Sequence, residues 1–325
     1  MGRRSNYPMP LKRRAVIDVG TNSVKLLVAD LVDGEVRPVW EGSAQTRLGS
    51  GLYQTRRLQP AAIAQTAAAV ASFAGKAREM QAEALRVIAT SAARDAVNPG
   101  ELTAAIHATA GLSVEIISGD REAEWAFRGV TSDAALAKVP LLLLDVGGGS
   151  TEFILGREDH LYFRGSFELG TVRLMEAAPR GDPPAPRELA ECRGRVRAFL
   201  AGQVRPKLDP ILTDPAGPFC APQGKALVGA GGTATILARL VAKLDGYDRA
   251  RIESTRLSRD CVHRQVERLW GIPLAERRQL EGMVANRADV ILTGVVIYEA
   301  VMEEFAFSEL RVSTRGLRFA AVMQC

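Results

Sequence analysis

The chain has 325 residues, 47% of them hydrophobic, which suits two domains of roughly 150 residues each better than one. Aromatic residues make up only 6% of it, which speaks against stacking platforms for single-stranded nucleic acid. The net charge of +5 is local. Arg3, Arg4, Lys12, Arg13 and Arg14 crowd the first fourteen residues, and with these five of the 42 bases set aside the rest is neutral against 37 acids. Residues 1–14 therefore read as a basic tail, and no specific nucleic-acid partner is expected. Cys192, Cys220, Cys261 and Cys325 form no CxxC pair and His107, His160 and His263 stand apart, a pattern of free thiols in a cytoplasmic protein without a zinc site. The early apolar stretch "AVIDVG" is interrupted by Asp18, and no apolar run approaches membrane-spanning length.

In chain order, "AVIDVGTNSVKLLVAD" (15–30) reads as a strand, a tight turn at "TNS" and a second strand. Asp33-Gly34 then turns the chain into a third strand near 35–40. An Ala-rich helix follows over 61–84, then strand "LRVIAT", a helix opening near Ser91, strand "LSVEII" and a helix from about 120 to 129. Next comes "LLLLDVGGGSTEFILG" (141–156), with strands near 141–146, 151–156 and 160–167. It repeats the opening unit, because Asp18, Gly20 and Ser23 fall on Asp145, Gly147 and Ser150. Two copies of one unit imply two similar α/β domains, 15–138 and 139–325, with mixed sheets flanked by helices and a cleft between them. The Pro-rich stretches 179–188 and 205–225 read as surface loops. The pattern resumes with strand "KALVGA", a "GGT" turn, helix "ATILARLVAKL", strand "ELRVST" and a closing helix after Gly316.

The chemistry belongs to the glycine-rich turns. Glycine lets the backbone approach a ligand and aim successive N–H groups at one anion, so Gly147, Gly148 and Gly149, with the hydroxyls of Ser150 and Thr151, read as a phosphate cradle. Thr21, Asn22 and Ser23 form the matching loop of the first unit, and Lys25 behind it is a candidate substrate contact. A third glycine element, Gly231, Gly232 and Thr233, opens a helix whose N-terminus suits an anion. Asp18 and Asp145 end apolar strands, where an unpaired carboxylate is costly unless a metal, a water or loop amides meet it. Asp145 and Glu152 supply the hard oxygen ligands that Mg²⁺ prefers, and Asp18 is a candidate for positioning water or metal. A hydrolase needs a base, and without clustered histidines a carboxylate is the natural choice. Glu122, in the first turn of its helix, is such a carboxylate, although a helix N-terminus favours an acid there in any case. Arg94 in "ATSAARDA" sits where a guanidinium could reach a phosphate.

Taken together and in order, "AVIDVGTNSVKLLVAD", "ATSAARDA", "SGDREA", "LLDVGGGSTEF", "GAGGTATILA", "RADVILTG" and "STRGLR" resemble the exopolyphosphatase and guanosine pentaphosphate phosphatase (Ppx/GppA) family. That family has the fold of sugar kinases, actin and Hsp70. The resemblance implies an Mg²⁺-dependent hydrolase that removes the terminal phosphoryl group of polyphosphate or of pppGpp, with Glu122 as catalytic base. It implies that Asp145 and Glu152 bind metal and position water, that Asn22, Ser23, Arg94, Gly148 and Ser150 bind phosphate, and that the protein is a homodimer. The sequence departs from the family pattern at Arg121, which replaces the first of two paired acids and becomes a candidate substrate contact. The chain also stops after two such domains where longer relatives carry further helical ones, so short-chain polyphosphate or a nucleotide is the expected substrate. Conversion of pppGpp to ppGpp, binding of (p)ppGpp without turnover, and ATP-dependent kinase or ATPase chemistry are the competing readings.

Overall fold

In the computed structural model, residues 12–178, 180–220 and 224–325 are described. The expected basic tail lies outside them up to residue 11. Residues 12–14 are not tail, because β1 (Lys12–Val19) begins there and pairs Lys12 with Leu31 of β2 (Ser23–Val32). Arg13 is held by Asp30 at 2.7 Å.

The first sheet adds β3 (Glu35–Gln45), β4 (Ala84–Ala89) and β5 (Glu115–Ile116) in the order β3-β2-β1-β4-β5. The second contains β6 (Leu141–Val146), β7 (Thr151–Arg157), β8 (His160–Phe167), β9 (Ala226–Ala230), β10 (Arg256–Ser258) and β11 (Glu309–Val312). Its order is β10-β11-β9-β6-β7-β8. Apart from β10, the two sheets share one plan: an antiparallel three-stranded meander whose first strand pairs in parallel with the next β-strand in the chain. The repeated sequence unit thus corresponds to a repeated sheet.

Helices of the first half are α1 (Leu52–Thr55), α2 (Pro60–Glu79), α3 (Ser91–Asp95), α4 (Pro99–Ala110), α5 (Gly119–Val130) and α6 (Ala134–Ala137). Those of the second are α7 (Thr171–Ala177), α8 (Pro186–Phe199), α9 (Arg205–Leu212), α10 (Gly231–Ala242), α11 (Arg249–Ser254), α12 (Arg259–Trp270), α13 (Leu274–Arg277), α14 (Ile291–Glu304) and α15 (Leu317–Met323). Helix α2 ends before the predicted residue 84 because Gln81 turns into the left-handed region, φ 60°. The Pro-rich stretches are not loops throughout. Residues 186–199 and 205–212 are helical and joined by a π-helical turn at 200–204; Pro186 sits in a first turn, where a missing N–H costs no helical bond, whereas Pro206 and Pro210 lie within the continuous helical run. Leu208, Leu212 and Phe219 are buried there, so packing overrides the proline signal.

Each sheet covers its outer face with its own apolar cluster. A third cluster lies between the sheets, where Trp125 and Phe127 of α5 and Phe319 of α15 pack with Val16, Leu27 and Ile88 of one sheet and Leu141, Leu143 and Ile154 of the other. Helix α5, which carries Glu122, therefore stands on both halves at once. No helix among the described residues is long and apolar enough to cross a membrane.

Candidate active site

The two repeated turns are built alike. The N–H of Gly20 donates to the Ser23 carbonyl at 3.1 Å, and that of Gly147 to the Ser150 carbonyl at 2.9 Å. Behind each turn the ladder places a charged pair side by side, Asp18 opposite Lys25 and Asp145 opposite Glu152. Both turns reach one cavity of about 60 Å³ between the halves, together with Glu122, Gly232 and Arg287.

Helix α7 sets the orientation of the glycine loop. Its Thr171 and Val172 N–H groups donate to the carbonyls of Gly147 (3.0 Å) and Gly148 (2.8 Å), and Arg173 Nε donates to that of Gly149 (3.0 Å). Three carbonyls turned toward α7 send the following N–H groups of Gly148, Gly149 and Ser150 the opposite way, because a trans peptide holds them antiparallel. The small cavity lies along this loop and α7 does not line it. The approach needs glycine at 170, where a Cβ would stand 2.4 Å from the Gly148 carbonyl oxygen. The first half closes on the loop from the other side. A Cβ on Gly148 would meet Thr21 at 2.8 Å, and one on Gly149 would collide with Tyr53 Oη and Ser91 Oγ. Asn22 adds an amide nitrogen, Nδ2, that is buried without a partner among the described residues.

Glu122 is 7% exposed and enters from the first turn of α5, whose N-cap Ser118 accepts from the Arg121 N–H at 3.2 Å. Burial raises its pKa from the ordinary 4.5 to about 7, with Arg94 opposing and the negative Asp18 and Asp145 reinforcing the shift. Arg94 Nη1 donates to Glu122 Oε2 at 2.6 Å and to the Ile117 carbonyl at 3.1 Å, which fixes the carboxylate in place. Glu152 is also held. Ser150 and Ser166 hydroxyls donate to the same oxygen, Oε1, at 2.8 and 2.7 Å. Burial, followed by the charges of Glu122 and Asp145, pushes its pKa well up. Asp18 and Asp145 are shifted upward by burial too, and Asp18 Oδ1 has no hydrogen-bond partner among the described residues.

Asp18, Lys25, Asp145, Gly232, Arg287 and Leu317 line both this cavity and a larger one of about 330 Å³ beyond it. Lys25 and Arg287 form no ion pair within 4 Å among the described residues, and burial lowers the pKa of each. Arg239 and Arg318 add positive charge to the larger chamber, and Tyr247, Ile236 and Val284 give it apolar wall.

The structure thus gathers Glu122, Asp18, Lys25, Asp145, Glu152, Thr21, Asn22, Ser23, Gly147, Gly148, Gly149, Ser150 and Gly232 around one cavity, with Gly231 in the adjoining chamber. Four expectations change. Arg121 points outward, half-exposed, pairs with Glu115 at 2.9 Å and stacks over Trp125, and it lines neither the small cavity nor the chamber. The Thr151 hydroxyl donates to the Leu169 carbonyl and is fully buried, because its strand position faces away from the cradle. Thr233 packs against α14 at Gly294, because α10 starts at Gly231 and its turn carries Thr235 to the chamber instead. Arg94 serves Glu122 and opens onto a neighbouring surface pocket, outside the small cavity. Sequence reasoning missed Arg287, although it lies in the quoted "RADVILTG" stretch. It also missed Arg173 and Ser166, which no local pattern marks.

The Ppx/GppA phosphatase family model matches residues 27–323. The chain belongs to the Ppx/GppA phosphatase family. It is 36% identical over 305 residues to a protein named exopolyphosphatase 2 from Mycobacterium tuberculosis, covering 91% of this chain and 92% of that one. It is 28% identical over 308 residues to the guanosine-5'-triphosphate,3'-diphosphate pyrophosphatase of Aeromonas salmonicida, covering 94% of this chain but 57% of that protein. Among solved structures, the Aquifex aeolicus family member matches with a TM-score of 0.77 at 28% identity, over 97% of each chain. The two repeated sheets and their shared cleft are therefore the family fold.

Proposed function

We propose that the protein is an exopolyphosphatase that hydrolyses the terminal phosphoanhydride of inorganic polyphosphate and releases orthophosphate. One observation carries this reading: a phosphoryl-sized cavity with inward glycine N–H groups and a held glutamate, opening past two half-buried basic side chains, Lys25 and Arg287, that form no ion pair among the described residues, into a larger chamber. The relative named exopolyphosphatase 2 supports the choice of substrate.

The donor set fits Mg²⁺. Asp18 Oδ1 is a buried carboxylate oxygen without a partner among the described residues, and Asp145 and Glu152, opposite each other on β6 and β7, line the same cavity. Among the described residues no three metal-ligating side chains cluster, so waters and phosphate oxygens would have to complete the coordination of such an ion. Asp145 and Glu152 would hold it, with Asp18 placed to position its water, and when bound it would neutralise phosphate charge. The loop amides and Asn22 Nδ2 grip the terminal phosphoryl oxygens. Glu122, once ionised, accepts the proton of the attacking water while Arg94 keeps its carboxylate aimed. Lys25 and Arg287 face the charge that the departing chain gains. Phosphoryl transfer needs chiefly this positioning and charge stabilisation.

Phosphate release from tripolyphosphate, long polyphosphate, pppGpp and ATP, with Mg²⁺ and with chelator, tests the reading. Release from polyphosphate that stops on chelation is expected. Release from pppGpp alone would favour the nucleotide reading, which the apolar wall of Ile236, Val284, Leu317 and Tyr247 supports. Release from none of the four would sink both.

A further inference from the structure

The row of carbonyls on α7 is completed by a side chain, whereas its first two members are held by main-chain N–H groups. Arg173 Nε donates to the Gly149 carbonyl at 3.0 Å. The same guanidinium crosses the cleft. Its Nη2 donates to Asp95 Oδ2 at 2.7 Å, and its carbon lies 4.2 Å from the centre of the Tyr53 ring. Asp95 follows Arg94 on α3, and Arg94 holds Glu122. Asp95 also accepts from Ser91 Oγ at 3.3 Å, a hydroxyl that lines the small cavity. One side chain therefore ties the phosphate loop of the second half to the short helix of the first half that steadies the base.

We propose that Arg173 is a positioning residue: it sets the Gly149–Ser150 peptide and, through Asp95, keeps that peptide in register with α3 and Glu122. This rests on the reading of the cavity as a phosphoryl-transfer site. An anchored carbonyl sends the next N–H, that of Ser150, to the opposite side of the planar peptide. Without Arg173 the Gly149 carbonyl loses its anchor, and glycine leaves the peptide free to turn over. The cradle then loses a preorganised donor. Arginine suits the role because its planar fork meets Gly149, Asp95 and the exposed Glu168 at fixed angles, whereas lysine offers a single point of charge.

A second ion pair across the same cleft provides the control. Arg47 Nη1 meets Asp289 Oδ2 at 2.6 Å, and Arg47 lines neither the small cavity nor the chamber. Phosphate release from tripolyphosphate in excess Mg²⁺ is measured for the wild type, Arg173→Ala, Asp95→Ala, the double variant and Arg47→Ala. Arg173→Ala should lower kcat about 10²-fold, the loss typical of one preorganised donor. Its KM should move by less than about threefold, because Lys25 and Arg287 still hold the chain. Arg47→Ala should stay within about threefold of wild type, and Asp95→Ala should add almost nothing to Arg173→Ala. Equal losses in Arg173→Ala and Arg47→Ala, a loss confined to KM, or additive effects of Arg173→Ala and Asp95→Ala would overturn the proposal. If the alanine variant does not fold, Arg173→Lys replaces it; roughly tenfold loss is expected and full activity overturns the role. If the wild type itself releases no phosphate, the functional reading fails separately, and calorimetry with inorganic phosphate decides. Affinity about tenfold weaker in Arg173→Ala and unchanged in Arg47→Ala supports the positioning role, while equal affinities overturn it.

Discussion

Lys25 and Glu152 occupy the same place in the two halves of the molecule. Each stands directly across a hairpin from the aspartate that nearly ends the preceding strand, Asp18 for one and Asp145 for the other. The frame is duplicated but the charge is inverted. Glu152, with Glu122, gathers carboxyl oxygens where water and a metal would sit. Lys25, with Arg287, puts positive charge where the cavity opens into the larger chamber.

Removal of the base should separate binding from chemistry. Glu122→Gln keeps an oxygen for Arg94 but cannot take a proton, so kcat should fall about 10² to 10⁴-fold, the usual worth of a general base. Substrate affinity, read by calorimetry with tripolyphosphate, should change little. A variant with near-normal turnover would remove Glu122 from the mechanism.

The pH profile follows from the raised pKa. A base must be ionised, and burial holds Glu122 protonated up to about 7. Turnover should therefore rise with pH through a midpoint near 7 and be largely lost at pH 5. Arg94→Met removes the charge that favours ionisation and should move that midpoint upward. A profile flat from pH 5 to 8 would contradict the assignment.

The two cations at the junction should act on the chain beyond the terminal phosphate. A hydrogen bond to a charged group contributes roughly 1.5–3 kcal/mol, so Lys25→Met or Arg287→Met should weaken kcat/KM by about 10 to 10²-fold. The loss should be larger for tripolyphosphate than for pyrophosphate, which reaches less far into the chamber. Initial-rate kinetics on both substrates checks this.

Packing across the cleft makes Gly149 intolerant of a methyl group. Gly149→Ala would collide with Tyr53 Oη and Ser91 Oγ, both contributed by the first half. Activity should collapse, while the midpoint of thermal unfolding should drop only modestly, since overpacking typically costs about 1–3 kcal/mol and can be relieved here by opening the cleft. Tyr53→Phe in the Gly149→Ala background, which removes one of the colliding atoms, should recover part of the activity.

The departure from the family pattern at Arg121 should be silent. Its side chain is 52% exposed and engaged with Glu115 and Trp125. Arg121→Ala should leave kcat and KM within about twofold, as surface substitutions usually do. A selective change in substrate preference would return Arg121 to the site.

Much of this was legible in the chain because it depends on short-range pattern. A strand ending in aspartate, a glycine turn and a serine gives the same local geometry wherever it occurs, so the repeat foretold two sheets with one plan and two loops at one cleft. Glu122 was legible as an acid in a helix's first turn. That Arg121 beside it turns away was not, because neighbouring residues on a helix differ by 100° and only the packing of α5 between the sheets decides which one faces the cavity. The same holds for Thr233 against Thr235 on α10. Ser166 meets Glu152 only once β8 pairs with β7, and Arg287 and the Arg173–Asp95 link act on the site only once elements far apart in the chain are packed together. Amino-acid order determined the repeated units, the glycine turns and the carboxylates at strand ends, since these follow from backbone conformation and burial within a few residues. Tertiary packing decided which side chains face the cavity and what partners they meet, because hydrogen bonds are lost beyond about 3.5 Å and charge interactions weaken with separation, and both are set by distances that sequence spacing does not record.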